Sequence, residues 1–173
     1  MSEDNDINTS VMPPVLDACC GGRMFWFNKK DSRALFIDVR EGTRIVDVGT
    51  DGTKGRNPRT VAPDKVADFR AMPFNDESFS HVVFDPPHFY KGAGKTGIIA
   101  FDYGLLSDTW RDDIAMGFSE CFRVLKPKGT LIFKWCEVEI PLREVLELTP
   151  ELPLYGHRSG KKAQTHWVAF LKE

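Results

Sequence analysis

The sequence predicts a single α/β domain built on a doubly wound, mostly parallel sheet, and three observations carry that prediction. Short β-favouring apolar runs recur, among them 15–16, 35–37, 82–84 and 130–135, each bounded by an acid, a glycine or a proline. Between the last two runs, residues 109–125 place Ile114, Phe118, Cys121, Phe122 and Leu125 at helical spacing. Strands alternating with helices give a parallel sheet. Finally, Asp17, Asp38, Asp68 and Asp85 all fall at or near strand ends, where doubly wound sheets collect ligand groups in one crevice.

Composition narrows the field. The 173 residues suffice for one domain with a real core and are too few for two comfortable ones. No apolar run approaches the roughly 20 residues that span a bilayer, and the acidic start does not resemble a signal peptide. The four cysteines, Cys19, Cys20, Cys121 and Cys136, show neither a disulfide framework nor paired metal spacing, so a reduced, cytoplasmic protein without a metal is expected. Net charge is −2, so any nucleic-acid contact must come from local basic patches.

In chain order, residues 1–12 are polar and aperiodic and read as a disordered tail, with the domain spanning 13–173. Residues 15–22 read as a short strand running into a glycine turn, and 23–30, with Met24, Phe25 and Phe27, are compatible with a short helix. Such a junction lets a ligand approach the backbone closely. A second strand, 34–40, ends in Asp38, about twenty residues past the glycine turn, where nucleotide-binding folds place an acid on the ribose hydroxyls. Residues 43–52 look superficially like a glycine-rich cofactor turn. Too little chain follows before residue 80 for two strands and a crossover helix, so 41–60 is expected to be an irregular or hairpin insertion carrying Lys54, Arg56 and Arg59. A short third strand is expected at 65–70.

Residues 80–89, Ser-His-Val-Val-Phe-Asp-Pro-Pro-His-Phe, hold the chemistry. Pro86 fixes its own φ, and Pro87 keeps Pro86 out of the helical region. Neither can donate a hydrogen bond. The corner therefore presents only acceptors, the Asp85 carboxylate and the Pro86 carbonyl, which suits a planar –NH2 group with two donors. Residues 90–108 read as a mobile glycine loop beside the site. Gly92-Ala-Gly-Lys-Thr is only half a phosphate-binding loop and is set aside. Lys126-Pro-Lys-Gly129 ends the 109–125 helix, 130–135 forms the fifth strand, 141–148 a short helix, and 154–156 and 165–171 two closing strands around a basic turn.

Asp85-Pro86-Pro87-His88 resembles the [DNS]-P-P-[YFW] motif of class I amino-methyltransferases dependent on S-adenosyl-L-methionine (SAM). The lead-in at 72–84 and the Leu125-Lys-Pro-Lys-Gly-Thr-Leu-Ile-Phe133 pattern are similar to the same family, and the resemblance covers roughly 14–171. It implies a Rossmann-like sheet with an antiparallel edge strand and SAM as cofactor. It also implies methyl transfer to an amino nitrogen of a nucleic-acid base such as adenine N6. Carried over residue by residue, Asp17, Ala18, Cys19, Cys20 and Gly21 would hold the methionine moiety. Asp38, Val39 and Arg40 would lie at the ribose, and Asp68 and Phe69 at the adenine. Asp85, Pro86, Pro87, His88 and Phe89 would face the acceptor, with Asp85 also bordering the cofactor. Three departures stand out: Cys19 and Arg23 replace outer glycines of the family's turn, and His88 replaces the stacking ring, which Phe89 or Tyr90 would then supply. Lys91, Lys95, Arg158, Lys161 and Lys162 are the candidate nucleic-acid contacts. The alternatives are the same chemistry on a protein glutamine or another small acceptor, or a SAM-binding inactive partner subunit.

Overall fold

The structure, a computed structural model, describes residues 12–48, 55–90, 98–159 and 164–173. The described strands are β1 (Val15–Asp17), β2 (Ala34–Asp38), β3 (Gly42–Val48), β4 (Gly55–Val61), β5 (Lys65–Val66), β6 (Phe79–Phe84), β7 (Leu125–Cys136), β8 (Tyr155–Ser159) and β9 (Thr165–Leu171). The helices are α1 (Ile98–Tyr103), α2 (Trp110–Val124) and α3 (Leu142–Leu146). Seven strands form one sheet in the order β5-β2-β1-β6-β7-β9-β8. The first four neighbour pairs are parallel, and β9 runs antiparallel to both β7 and β8. This is the mostly parallel Rossmann-like sheet with an antiparallel edge that the sequence predicts.

Alternation decides the faces. Leu16, Ile37, Val82, Phe84, Leu131 and Phe133 point to one side and pack beneath α2 in the main core. The helix supplies Trp110, Ile114, Phe118, Cys121 and Phe122 to it, the stripe that its 3.6-residue period predicts. The opposite side carries a smaller cluster, Cys20, Ala34 and Phe36, with Val15 and Trp26 against it. The segment 18–33 covers this side, with Phe25 meeting Trp167 at 5.5 Å.

Several expectations need correction. Residues 23–30 form turns rather than a helix. Arg23 adopts φ 52°, in the left-handed region, and its guanidinium donates to the carbonyls of Lys29 and Ala62 and to Asp64. It also lies 3.8 Å over the Phe36 ring. These long-range contacts hold the segment open as a strap. The third strand is only Lys65–Val66, because Asp68 accepts from the Arg70 amide and turns the chain. Part of the expected loop at 90–108 is helix, Ile98–Tyr103. The fifth strand is longer than expected and runs through the Lys-Pro-Lys-Gly stretch, beginning directly where α2 stops. In the 41–60 insertion, β3 (Gly42–Val48) pairs antiparallel with β4 (Gly55–Val61), in keeping with the hairpin alternative. No described helix is long and apolar enough to cross a membrane.

Candidate active site

The acceptor corner sits where β6 ends. Phe84 pairs with Phe133 of β7, so the next residues, Asp85 and Lys134, leave the two strands side by side. The Lys134 ammonium donates to Asp85 Oδ2 at 2.6 Å, with the side chains only 17% and 14% exposed. On balance the Asp85 pKa is raised: burial pushes it up, and Lys134 opposes that rise without reversing it. The other oxygen, Asp85 Oδ1, is buried without a hydrogen-bond partner.

His88 is 5% exposed, and its Nδ1 is also buried without a partner. Its ring packs 4.4 Å from Phe89, 5.6 Å from Tyr103 and 6.2 Å from Trp135. Burial, helped by the Lys134 charge and opposed by the Pro86 carbonyl, lowers its pKa to about 4, so the imidazole is neutral at pH 7. His88 is thus a wall residue held among rings.

The turn after β1 forms the other wall. Asp17 is fully buried and accepts from the Cys19 amide and from Trp26 Nε1 at 2.7 Å. Desolvation outweighs those bonds and raises its pKa to about 7, with Asp85 and Asp38 adding to the rise. Ala18 is buried, its amide bonded to the Val83 carbonyl. Burial pushes the Cys19 thiol up and the Cys20 thiol to about 12, so neither is a thiolate nucleophile. Gly21 takes φ 47°, and a Cβ there would meet the Asp102 carbonyl at 3.2 Å. Its amide donates to Asp38 Oδ2 at 2.9 Å, while Arg40 donates to both Asp38 oxygens at 2.9 Å and to the Phe101 carbonyl at 2.7 Å. Asp38 therefore holds the turn, and Arg40 ties the carboxyl end of β2 to α1.

Of these residues, Cys19, Cys20, Gly21, Arg40, Asp85, Pro86, Pro87 and His88 line a cleft of about 220 Å³, whereas Asp17, Ala18 and Asp38 lie behind its wall. A larger groove of about 710 Å³ runs along the far side of the same turn and shares Gly21, Gly22, Met24 and Asp102 with it. That groove contains no buried, unpartnered polar side-chain atom among the described residues, so the smaller cleft is the better candidate. Asp68 and Phe69 do not line the cleft. Asp68 is paired with Arg70 at 2.6 Å, and Phe69 packs on Phe84 at 5.3 Å. Val39 is 59% exposed. Arg158 is exposed near the carboxyl end of β8. Lys54, Lys91, Lys95, Lys161 and Lys162, and the Arg56 side chain, lie outside the described residues. Arg59 approaches Asp102 at 3.9 Å. Sequence reasoning missed Lys134, Trp26 and the α1 residues Asp102 and Tyr103. Lys134 did leave a signal, a lysine inside the buried run Leu-Ile-Phe-Lys-Trp.

The sheet order and the crevice at its carboxyl ends are those of a Rossmann-like α/β fold. No family model matches the chain, and no curated protein matches it in sequence. Among solved structures the chain is similar to PH0226 from Pyrococcus horikoshii OT3, with TM-score 0.54 and 15% identity, covering 92% of this chain and 81% of that one. It is similar also to a SAM-dependent methyltransferase from Methanosarcina mazei, with TM-score 0.52 and 14% identity, covering 91% of each. A third is a geranyl diphosphate methyltransferase, solved with geranyl diphosphate and sinefungin, with TM-score 0.52 and 10% identity, covering 92% of this chain and 70% of that one.

Proposed function

We propose that this protein transfers the methyl group of SAM to an amino nitrogen, that of a nucleic-acid base such as adenine N6. The observation that carries the reading is the Asp85-Pro86-Pro87-His88 corner, where two buried polar atoms, Asp85 Oδ1 and His88 Nδ1, lack partners in the same cleft. Buried polar groups left unpaired in a native fold call for a ligand or water. Asp85 Oδ1 can accept one N–H of a planar amino group, and the Pro86 carbonyl, which His88 also meets, has a second lone pair for the other.

The residues around the β1 turn fit the cofactor. Gly21 lines the cleft with Cys19 and Cys20, and its lack of a side chain lets the turn approach the Asp102 carbonyl, which a Cβ would meet at 3.2 Å. On this reading Asp38 and Arg40 would meet the ribose, and Arg40 must release Asp38 before a hydroxyl can bond to it. SAM supplies an electrophilic methyl carbon on a sulfonium. Attack by the acceptor nitrogen would form the N–C bond as the C–S bond breaks with its electrons on sulfur, and the extra proton on nitrogen would pass to solvent. Asp85 holds the amino group in line and stabilises the positive charge that develops on it. A base in a duplex would first be flipped out of the stack, and Phe89 or Tyr103 would offer a ring for it.

One observation favours a second reading, a donor-binding partner subunit without activity: both Asp38 oxygens are engaged by Arg40. The same chemistry on a protein glutamine or a small acceptor remains the third. Labelled methyl donor offered separately with DNA, RNA and protein distinguishes all three. Asp85→Ala should lose about 10²-fold or more of the transfer while keeping cofactor affinity, since Asp85 faces the acceptor. Near-parental turnover by that variant would reduce the corner to an ordinary turn.

A further inference from the structure

We propose that Lys134 is a positioning residue for the acceptor: it covers Asp85 Oδ2 and holds the carboxylate so that Oδ1, buried and without a hydrogen-bond partner, is the oxygen left to accept an amino N–H. The inference rests on the methyl-transfer reading of the cleft.

The geometry carries it. Lys134 Nζ lies 2.6 Å from Asp85 Oδ2. The ammonium also sits 5.6 Å from the Phe25 ring centroid and 5.7 Å from that of Trp167. Two aromatic faces and one carboxylate hold the cation in place. A buried ion pair is a poor way to gain stability, because the desolvation penalty rivals the attraction. In β7 the neighbours Ile132 and Phe133 show that apolar residues suit this strand. The lysine is therefore better explained by what it does to Asp85 than by what it does for the sheet.

Without a cation, a carboxyl in this position takes up a proton. A protonated Asp85 presents an O–H, and one of its two oxygens then repels an amino N–H instead of accepting it. Lys134 favours the charged form against the burial that raises the Asp85 pKa, and it anchors Oδ2. Other charged or titratable groups line the same space, namely Cys19, Cys20, Arg40, His88, Asp102 and Tyr103, while Asp17 and Asp38 lie behind its wall, Asp17 close enough to Asp85 and Asp38 to feel their charge. Asp17 and Asp38 are acids, and the Arg40 guanidinium is bonded to Asp38. Among the described residues, Lys134 is the cation bonded to Asp85.

The test is a carboxyl-carbon NMR titration on aspartate-labelled protein, with Asp85 assigned through Asp85→Asn. In Lys134→Met the Asp85 midpoint should move up by about one pH unit or more relative to the parent. Methyl transfer by that variant should fall about tenfold or more at pH 7, recover as pH is raised, and leave cofactor affinity unchanged. Lys134→Arg should retain the parental profile. An unchanged Asp85 midpoint overturns the proposal, and so does a loss of transfer that is equal at every pH. If Lys134→Met fails to fold, Lys134→Gln takes its place in the same titration. If the parent transfers no methyl to any acceptor, the methyl-transfer reading falls on its own, and the titration still decides whether Lys134 sets the charge of Asp85.

Discussion

Burial acts on two groups beside the cleft in opposite senses, and their pH signatures separate. His88 has its pKa lowered to about 4 from an ordinary value of 6.5. Its contribution to stability is present above pH 6.5 and is lost as pH falls toward 4. Asp17 has its pKa raised from 3.8 to about 7. Its contribution is present below pH 3.8 and is lost as pH rises toward 7, since the folded state favours the protonated form. Over pH 4–7 the two partly cancel. Replacing His88 with Phe should remove the acid-side loss, so urea unfolding should show the variant gaining about 2–3 kcal/mol on the parent between pH 7 and pH 4. Parallel profiles would mean that His88 does not stay neutral in the fold. Asp38→Ala belongs at this scale too. It strands the Gly21 amide and the Arg40 guanidinium, so stability should drop by about 2 kcal/mol or more. On the proposed cofactor reading, SAM affinity should fall by about 1.5–3 kcal/mol as well. Urea denaturation and calorimetry on the same preparation measure both, and unchanged affinity in a folded variant would remove Asp38 from the ribose.

At the scale of elements, α2 lies on β6 at a glycine. A Cβ on Gly117 would come within 2.5 Å of Phe84 Cζ and 2.8 Å of the Phe69 ring. Alanine is the better helix former by up to about 1 kcal/mol, but prising the helix off the strand costs about 1–3 kcal/mol. The steric effect should win. Gly117→Ala is expected to lower the urea midpoint, with helix content unchanged by circular dichroism, and a raised midpoint would mean that the helix–strand contact is looser than described. The helix was legible in the sequence because its apolar residues repeat at 3.6, and β6 and β7 because their runs are apolar and bounded. The strap at 18–33 was not legible. Its conformation depends on Arg23 reaching Ala62 and Asp64, some forty positions away. Helix α1 was masked by the glycine- and lysine-rich stretch before it. The corner at Asp85 was legible as an acceptor pair, whereas its cation came from another strand, which no local pattern shows.

For the whole molecule, the parallel strands point their carboxyl ends at one edge, and β8, antiparallel to β9, ends there too. Arg158 therefore lies on the cleft edge, three strands from β6, or about 14 Å across the sheet. Lys126 and Lys128 open β7 at the opposite edge. On the nucleic-acid reading, replacing Arg158, Lys161 and Lys162 with Ser should weaken binding and flatten its salt dependence, leaving cofactor affinity alone. Lys126 and Lys128 changed to Ser are the matched control and should do neither. Equal binding by both variants and the parent moves the glutamine or small-molecule acceptor ahead.

The sheet order has a consequence for how the chain is made. In sequence β9 follows β8, yet in space it lies between β7 and β8. Tyr155–Ser159 pairs only with Thr165–Leu171, so β8 has no neighbour in the sheet until β9 has been synthesised. On the ribosome, residues 125–159 would emerge with the outer edge of β7 open and β8 unattached. Lys172 then closes the assembly, donating to the Phe122 and Leu125 carbonyls where α2 passes into β7. The growing chain thus carries an exposed strand edge, the feature that chaperones and neighbouring nascent chains engage, until β9 adds to β7 and gives β8 a strand to pair with.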